Sequence, residues 1–322
     1  MQTIPLPRTE LTVSRLAFGN MTFGGQTMEE EAARILDTCL ERGITFLDTA
    51  NVYNAGKAEE MLGSLLAGRR QDVVLASKVR GKMGDGPLES GLSRAAILHN
   101  AEQSLRRLRT DYLDLYYMHM PDNSVALEES LEAMDTLVRQ GKVLYPALSN
   151  YAAWQTLEAF RITGEQGYAP VAAAQMMYNV VARGLEQEFV PMASKYELAL
   201  VAYNPLAGGL LTGKQQRERP APGTRFDGNR MYMDRYWHPA YFDAVDELRA
   251  LAGEAGRSLI SLSLNWLLHH TSTACVLLGA SRLDQLTANL DAAEEGPLSE
   301  EVVKRCDEIW LRVRGPQPKY NR

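Results

Sequence analysis

No run of about 20 consecutive apolar residues occurs in this 322-residue chain, so a membrane-spanning helix is not expected. Cysteine is scarce. Cys39, Cys275 and Cys306 are odd in number and lie in apolar or helical contexts, which reads as buried free thiols in a reducing compartment and not as a disulfide framework. The histidines show no ligand spacing either. His269 and His270 are adjacent at a helix end, and His99 and His238 are isolated, so no metal site is expected. Lys and Arg form no block and the net charge is −6, which excludes a nucleic-acid footprint. The opening MQTIPLPRTELTV lacks the cationic start and apolar core of a secretory leader, so the chain reads as cytoplasmic. A Gly-x-Gly-x-x-Gly fingerprint is absent as well. Gly208–Lys214 (GGLLTGK) copies the glycines and lysine of a triphosphate-binding loop, but Gln215 stands where the Mg²⁺-binding hydroxyl belongs.

What is present is alternation. Apolar runs suited to strands fall at 16–19, 45–48, 73–78, 113–119, 143–149, 172–176, 198–203 and 275–279, with amphipathic segments between them. In 127–140, Leu127, Leu131, Met134, Leu137 and Val138 share one helical face; in 90–108, Leu98, Ala101, Leu105 and Leu108 do the same. Strand followed by helix, repeated about eight times, predicts an α/β fold with parallel strands inside and helices outside, a (β/α)₈ TIM barrel. The runs at 4–6 and 11–13 predict an N-terminal hairpin closing the barrel bottom. A long Gly-, Pro- and Arg-rich loop is expected after strand seven, from Leu206 to about Pro239, and a helix and tail beyond Ser299. No linker or internal repeat divides 1–322, which is read as a single domain. Pro146, inside the fifth strand, deletes a ladder donor and predicts a local bulge.

Asp48, Lys78 and His119 end the second, third and fourth strands, and Tyr53 follows five residues after Asp48. In such barrels chemistry sits at the C-terminal strand ends, so these residues are expected at one mouth. A tyrosine hydroxyl, with a reference pKa of about 10, needs a neighbouring cation such as Lys78 for fast proton traffic near neutrality. Asp48 can hold that lysine, and His119 can orient a carbonyl.

DTANVY, the lysine after VVLAS, YYMHMPD, LSNYAAW, AQMMYNV and YNPLAGGLLTGK together resemble, in order, the aldo-keto reductase superfamily. The last four, with RYW at 235–237 and AAEEGPL at 292–298, are similar to its aflatoxin-aldehyde and succinic-semialdehyde reductase subfamily. The resemblance implies reduction of aldehydes by NADPH, with Tyr53 as acid and Asp48, Lys78 and His119 around it. It implies that Ser149, Asn150 and Gln175 bind the carboxamide and that Tyr203 stacks on the nicotinamide. Asn204, Pro205, Leu206, Gly208, Gly209, Leu210 and Lys214 would wrap the pyrophosphate, and Arg225 would meet a cofactor phosphate. Gly279, Ser281, Arg282, Gln285 and Asn289 would hold the adenosine end; backbone N–H groups and the Arg282 guanidinium suit a 2′-phosphate.

Substrate contacts implied in the same way are Met21, Tyr232, Arg235 and Arg322, besides Tyr53 and His119. The two arginines favour a carboxylate-bearing aldehyde such as succinic semialdehyde. Between Lys214 and Arg235 the chain is shorter than the subfamily pattern. A homodimer is typical of the subfamily, and small-molecule aldehydes are the expected partners. The competing reading is a nucleotide-sensing binding subunit resembling potassium-channel β subunits, which also retain the tetrad.

Overall fold

The computed structural model describes residues 1–317, so Arg322 lies outside the described residues. Strands β1 (Thr3–Pro5) and β2 (Thr12–Ser14) pair antiparallel, Thr3 opposite Ser14. Eight parallel strands close the barrel in the order β10, β3, β4, β5, β6, β7, β8, β9. They are β3 (Leu16–Gly19), β4 (Phe46–Asp48), β5 (Val74–Val79), β6 (Leu113–Met118), β7 (Val143–Ser149), β8 (Ala173–Met177), β9 (Ala199–Tyr203) and β10 (Cys275–Leu278). The helices are α1 (Glu29–Glu41), α2 (Lys57–Leu65), α3 (Arg94–Leu108), α4 (Leu127–Arg139), α5 (Ala153–Gln166), α6 (Phe189–Lys195), α7 (Arg230–Tyr236), α8 (Pro239–Glu254), α9 (Leu259–His270), α10 (Leu283–Ala293) and α11 (Glu300–Arg314). The (β/α)₈ barrel with its hairpin and C-terminal helix is therefore present.

By compactness the chain divides into two units. The first comprises Met1–Met176, Gln187–Val201 and Ala274–Leu286. Its core is the barrel interior, filled at alternate strand positions by Ala17, Phe46, Val74, Ala76, Leu115, Tyr117, Ala147, Ala173 and Val201. Leu6 and Val13 of the hairpin segment join this cluster, so the hairpin seals the end where the strands begin. The second unit comprises Met177–Glu186, Ala202–Thr273 and Thr287 onward. Trp266 packs there edge-on to Tyr178, with centroids 5.5 Å apart.

Three local features differ from the sequence-based expectation. Helix α3 begins at Arg94, not at Ser90, because the Ser93 hydroxyl accepts the Ala96 N–H at 3.3 Å and caps it. Pro146 causes no bulge, since Leu115–Met118 run in unbroken register with Tyr145–Leu148. Its carbonyl accepts the Ala172 N–H at 2.9 Å, and the β7–β8 register starts only at Ala147, so the missing donor lies ahead of the ladder. The segment from 206 to 239 has structure of its own, a 3₁₀ turn at Ala207–Thr212 and helix α7.

All three cysteines are free and buried. Burial pushes the Cys39 and Cys306 thiols up to about 12 and raises Cys275 as well. Among the described residues no helix is long and apolar enough to cross a membrane, and no cluster of metal-ligating side chains forms.

Candidate active site

In the first unit Asp48 closes β4, Lys78 lies one residue before the end of β5, and His119 follows β6. Parallel register sets Asp48 beside Ala76 and Lys78 beside Tyr117, which brings the three strand ends together. Asp48 and Lys78 are 1% and 0% exposed. Burying two charges is tolerable only when both are paired and their remaining bonds are met. Here they are: Lys78 Nζ donates to Asp48 Oδ1, to the Thr49 carbonyl at 2.8 Å and to the Tyr53 hydroxyl at 3.4 Å. The other Asp48 oxygen accepts from Gln175 Nε2 at 2.8 Å. Burial lowers the lysine pKa, but Asp48 and Tyr53 more than offset it, so the ammonium is held above its ordinary value.

Tyr53 is aimed by the turn that carries it. Asn54, Ala55 and Gly56 are successively left-handed, with φ of 50°, 54° and 92°. Two of the three are not glycine, a conformation that persists only when its surroundings impose it. The Asn54 side chain supplies part of that, donating to the Met21 carbonyl at 2.9 Å and to the Phe23 carbonyl at 2.7 Å. The Tyr53 ring meets the His119 ring edge-on, centroids 6.0 Å apart at 80°. Burial, with Lys78 and Arg80 adding to it, drives the His119 pKa down to about 3, so the imidazole is neutral at physiological pH. Asn150 Nδ2 holds the His119 carbonyl at 2.9 Å. A hydroxyl beside a locked ammonium and a neutral imidazole can donate to one and the same incoming oxygen.

The aldo/keto reductase family profile matches residues 15–311. The chain belongs to the aldo/keto reductase family. Human aldo-keto reductase family 7 member A3 is 37% identical to it, covering 94% of this chain and 96% of its own length. Aflatoxin B1 aldehyde reductase member 2 of Rattus norvegicus is 35% identical over 94% of this chain and 86% of its own length. A probable voltage-gated potassium channel subunit beta of Arabidopsis thaliana is 34% identical over the whole of both chains. An aldo/keto reductase is an oxidoreductase, and the family's cofactors are NAD(P)H.

The cofactor residues expected from the sequence fall in both units of this reductase. In the first, Ser149 is buried; its hydroxyl donates to the Gln175 carbonyl at 3.0 Å and accepts from Asn150 Nδ2 at 3.0 Å. Gln175 gives its amide to Asp48, an anchoring role that the sequence did not announce. Gly279 is exposed. Ser281 turns both its N–H and its hydroxyl onto Gln285 Oε1, at 3.1 and 3.2 Å. Arg282 is engaged too, its guanidinium bonding both Asp284 oxygens at 2.9 and 2.6 Å, while Glu31 accepts the Leu283 N–H at 2.6 Å. A phosphate at Arg282 must therefore compete with Asp284.

In the second unit a chain of left-handed residues follows β9: Asn204 (φ 58°), Ala207 (49°), Gly208 (69°), Gly209 (103°) and Gly213 (72°). Asn204 Nδ2 is buried and has no acceptor among the described residues, while nothing lies within 4 Å of where a Gly209 side chain would be. An orphaned donor in a glycine loop with open space suits a polar ligand such as a dinucleotide. Pro205 and Leu210 are buried, Tyr203 and Leu206 half-buried, Lys214 exposed and Asn289 buried. Arg225 donates to the Tyr232 hydroxyl at 3.1 Å. Tyr232 itself is 6% exposed and packed on Gly208, where an added Cβ would come within 2.7 Å of its ring. Arg235 lies over the same ring at 5.8 Å.

Behind the tetrad runs a network that sequence reading passed over. Glu59 of α2 is 0% exposed and accepts from the Ser77 hydroxyl at 2.5 Å and from Arg107 Nε at 2.7 Å. It thereby ties α2, which follows the Tyr53 turn, to the residue next to Lys78. Gly63 makes room for this, since a Cβ there would sit 2.5 Å from the Leu108 backbone. In KAEEM a glutamate looks like surface; only the Glu-x-x-Leu-Gly spacing before a close helix contact hinted otherwise.

Proposed function

We propose that this enzyme reduces aldehydes to primary alcohols with NADPH, using Tyr53 as the general acid. The observation that carries the reading is the Tyr53 hydroxyl 3.4 Å from an ammonium whose other bonds go to Asp48 and Thr49. When bound, NADPH supplies the hydride. Lys78 biases the Tyr53 hydroxyl toward releasing its proton to the nascent alkoxide. Neutral His119 donates to the carbonyl oxygen and orients it. Gln175 keeps Asp48 on the lysine. For the cofactor, the reading draws on two residue sets, Ser149, Asn150, Gln175, Gly279, Ser281, Arg282 and Gln285 in the first unit, and Tyr203–Leu206, Gly208–Leu210, Lys214, Arg225 and Asn289 in the second. Preference for NADPH over NADH rests on Arg282 and Arg225 and is moderated by Asp284.

The rat relative and a human one, 36% identical, are named as aflatoxin B1 aldehyde reductases, which supports the substrate class. The plant relatives named as channel subunits support a second reading, a nucleotide-sensing binding subunit, and the tetrad does not separate the two. Turnover does. Steady-state reduction of an aldehyde panel with NADPH and NADH, repeated with Tyr53→Phe, tests both: nucleotide binding without turnover in the native protein favours the binding subunit. The single-domain, dimeric, cytoplasmic form is part of the same proposal. One cooperative unfolding transition and a dimer mass by light scattering are its expected outcomes.

A further inference from the structure

Beside the tetrad one guanidinium has a buried N–H with no acceptor among the described residues. Arg80 directly follows β5, two residues past Lys78. Val79 is registered with Met118, and the His119 N–H donates to the Val79 carbonyl at 2.9 Å, so Arg80 and His119 stand at the ends of adjacent strands. The next residue, Gly81, is pressed against the neighbour of Tyr53: a Cβ there would lie 2.6 Å from the Val52 side chain. Arg80 itself takes φ +128°, a region suited to glycine, and its carbonyl is tied down by the Gly91 N–H at 3.1 Å. A backbone outlier beside a site is where a side chain is being presented at a conformational cost.

Arg80 is half-buried. Among the described residues no hydrogen bond or ion pair engages its guanidinium, and its Nε is sealed from solvent without an acceptor. Asp122 feels the Arg80 charge, but its oxygens are hydrogen-bonded elsewhere. It accepts from the Leu92 N–H at 2.9 Å, the Ser124 N–H at 3.1 Å and the Ser124 hydroxyl at 2.6 Å. The Arg80 charge also reaches His119 and Tyr151. A half-buried arginine whose Nε is sealed without an acceptor has bonding capacity left unused, and its planar fork matches a carboxylate at two points.

We infer that Arg80 is the anion-binding group of the substrate site, taking the carboxylate of an aldehyde acid whose carbonyl lies at Tyr53 and His119. This rests on the reductase reading for the aldehyde end and on Arg80 alone for the acid end. It assigns to the first unit the recognition that the resemblance implied for Arg235 and Arg322.

The test compares 4-oxobutanoate with its methyl ester, which differ in charge and little in reach, in the native enzyme and in Arg80→Met, Arg80→Lys and Arg235→Ala. Arg80→Met is expected to raise KM for the acid by about tenfold or more and to leave the ester within roughly twofold, with Arg80→Lys recovering part of the loss. Equal effects on acid and ester, no acid preference in the native enzyme, or an acid-selective defect in Arg235→Ala but not in Arg80→Met would each overturn the assignment. Calorimetric titration with succinate, which cannot be reduced, separates the two readings. If the native protein reduces neither aldehyde, the reductase reading has failed. Succinate binding that is lost in Arg80→Met then sustains the anion site, and no succinate binding to the native protein refutes it.

Discussion

The tetrad of the first unit and the segment 206–239 of the second are organised in opposite ways. Asp48 and Lys78 are sealed and joined to Thr49, Tyr53 and Gln175 by directed bonds. The segment is held by rings: Phe226 meets Tyr232 at 6.1 Å and Trp237 at 5.2 Å, and Trp237 meets Phe242 at 5.0 Å. Its arginines stay at the periphery, Arg217 on Asp243 and Asp246 and Arg225 on Tyr232. Buried charge demands partners at fixed distances, whereas aromatic packing fixes a chain path and leaves its polar tips adjustable. On the proposed function, the first region would fix the geometry of the reaction. The other is suited to grip a ligand whose contacts need less exact placement.

The comparison breaks first at Tyr53. Tyr53→Phe is expected to cut kcat by ~10²–10⁴, the usual contribution of a positioned acid, while NADPH affinity measured by fluorescence stays within a few-fold. Near-normal turnover would transfer the acid role to another group. Next comes Lys78→Met, which strands the Asp48 carboxylate; removing one partner of a buried pair costs about 3–5 kcal/mol, read by urea denaturation. A loss under about 1 kcal/mol would mean that Asp48 takes up a proton or finds another donor at little cost.

His119 sharpens the contrast through pH. Its folded pKa of about 3 lies below the unfolded value of roughly 6.5, so between those values the unfolded chain binds more protons. Stability should be fully present above about pH 6.5 and decline as pH falls toward 3. His119→Gln should flatten that slope, and an unchanged slope would assign the acid sensitivity elsewhere. The smallest effect is expected at Arg225→Ala, whose bond to Tyr232, from a charged donor, is worth about 1.5–3 kcal/mol. A larger destabilisation in the same urea assay would show the segment to be held as rigidly as the tetrad.

The same division decides what was legible in the sequence. Strand periodicity gave the barrel, and barrel geometry converted three strand-ending residues into one site, so Asp48, Lys78 and His119 followed from local pattern alone. Gln175 and Glu59 act through contacts that join distant segments, Gln175 with Asp48 and Glu59 with Ser77 and Arg107. No local pattern encodes such contacts. Arg80 was hidden for another reason: a lone arginine before GKMGDG looks like loop, and only its backbone angle and its missing partner mark it. The Arg282–Asp284 pair was within reach, two residues apart on the edge of a helix, yet which of Asp284 and a phosphate holds the guanidinium is a competition that spacing does not decide.

The three cysteines bear on durability. Aldehydes conjugated to a double bond alkylate thiolates, and a protein handling such compounds is exposed to inactivation by its own substrates. Cys39, Cys275 and Cys306 are each 0% exposed, and burial holds all three in the unreactive protonated form. Burial thereby keeps such electrophiles from all three thiols of this chain.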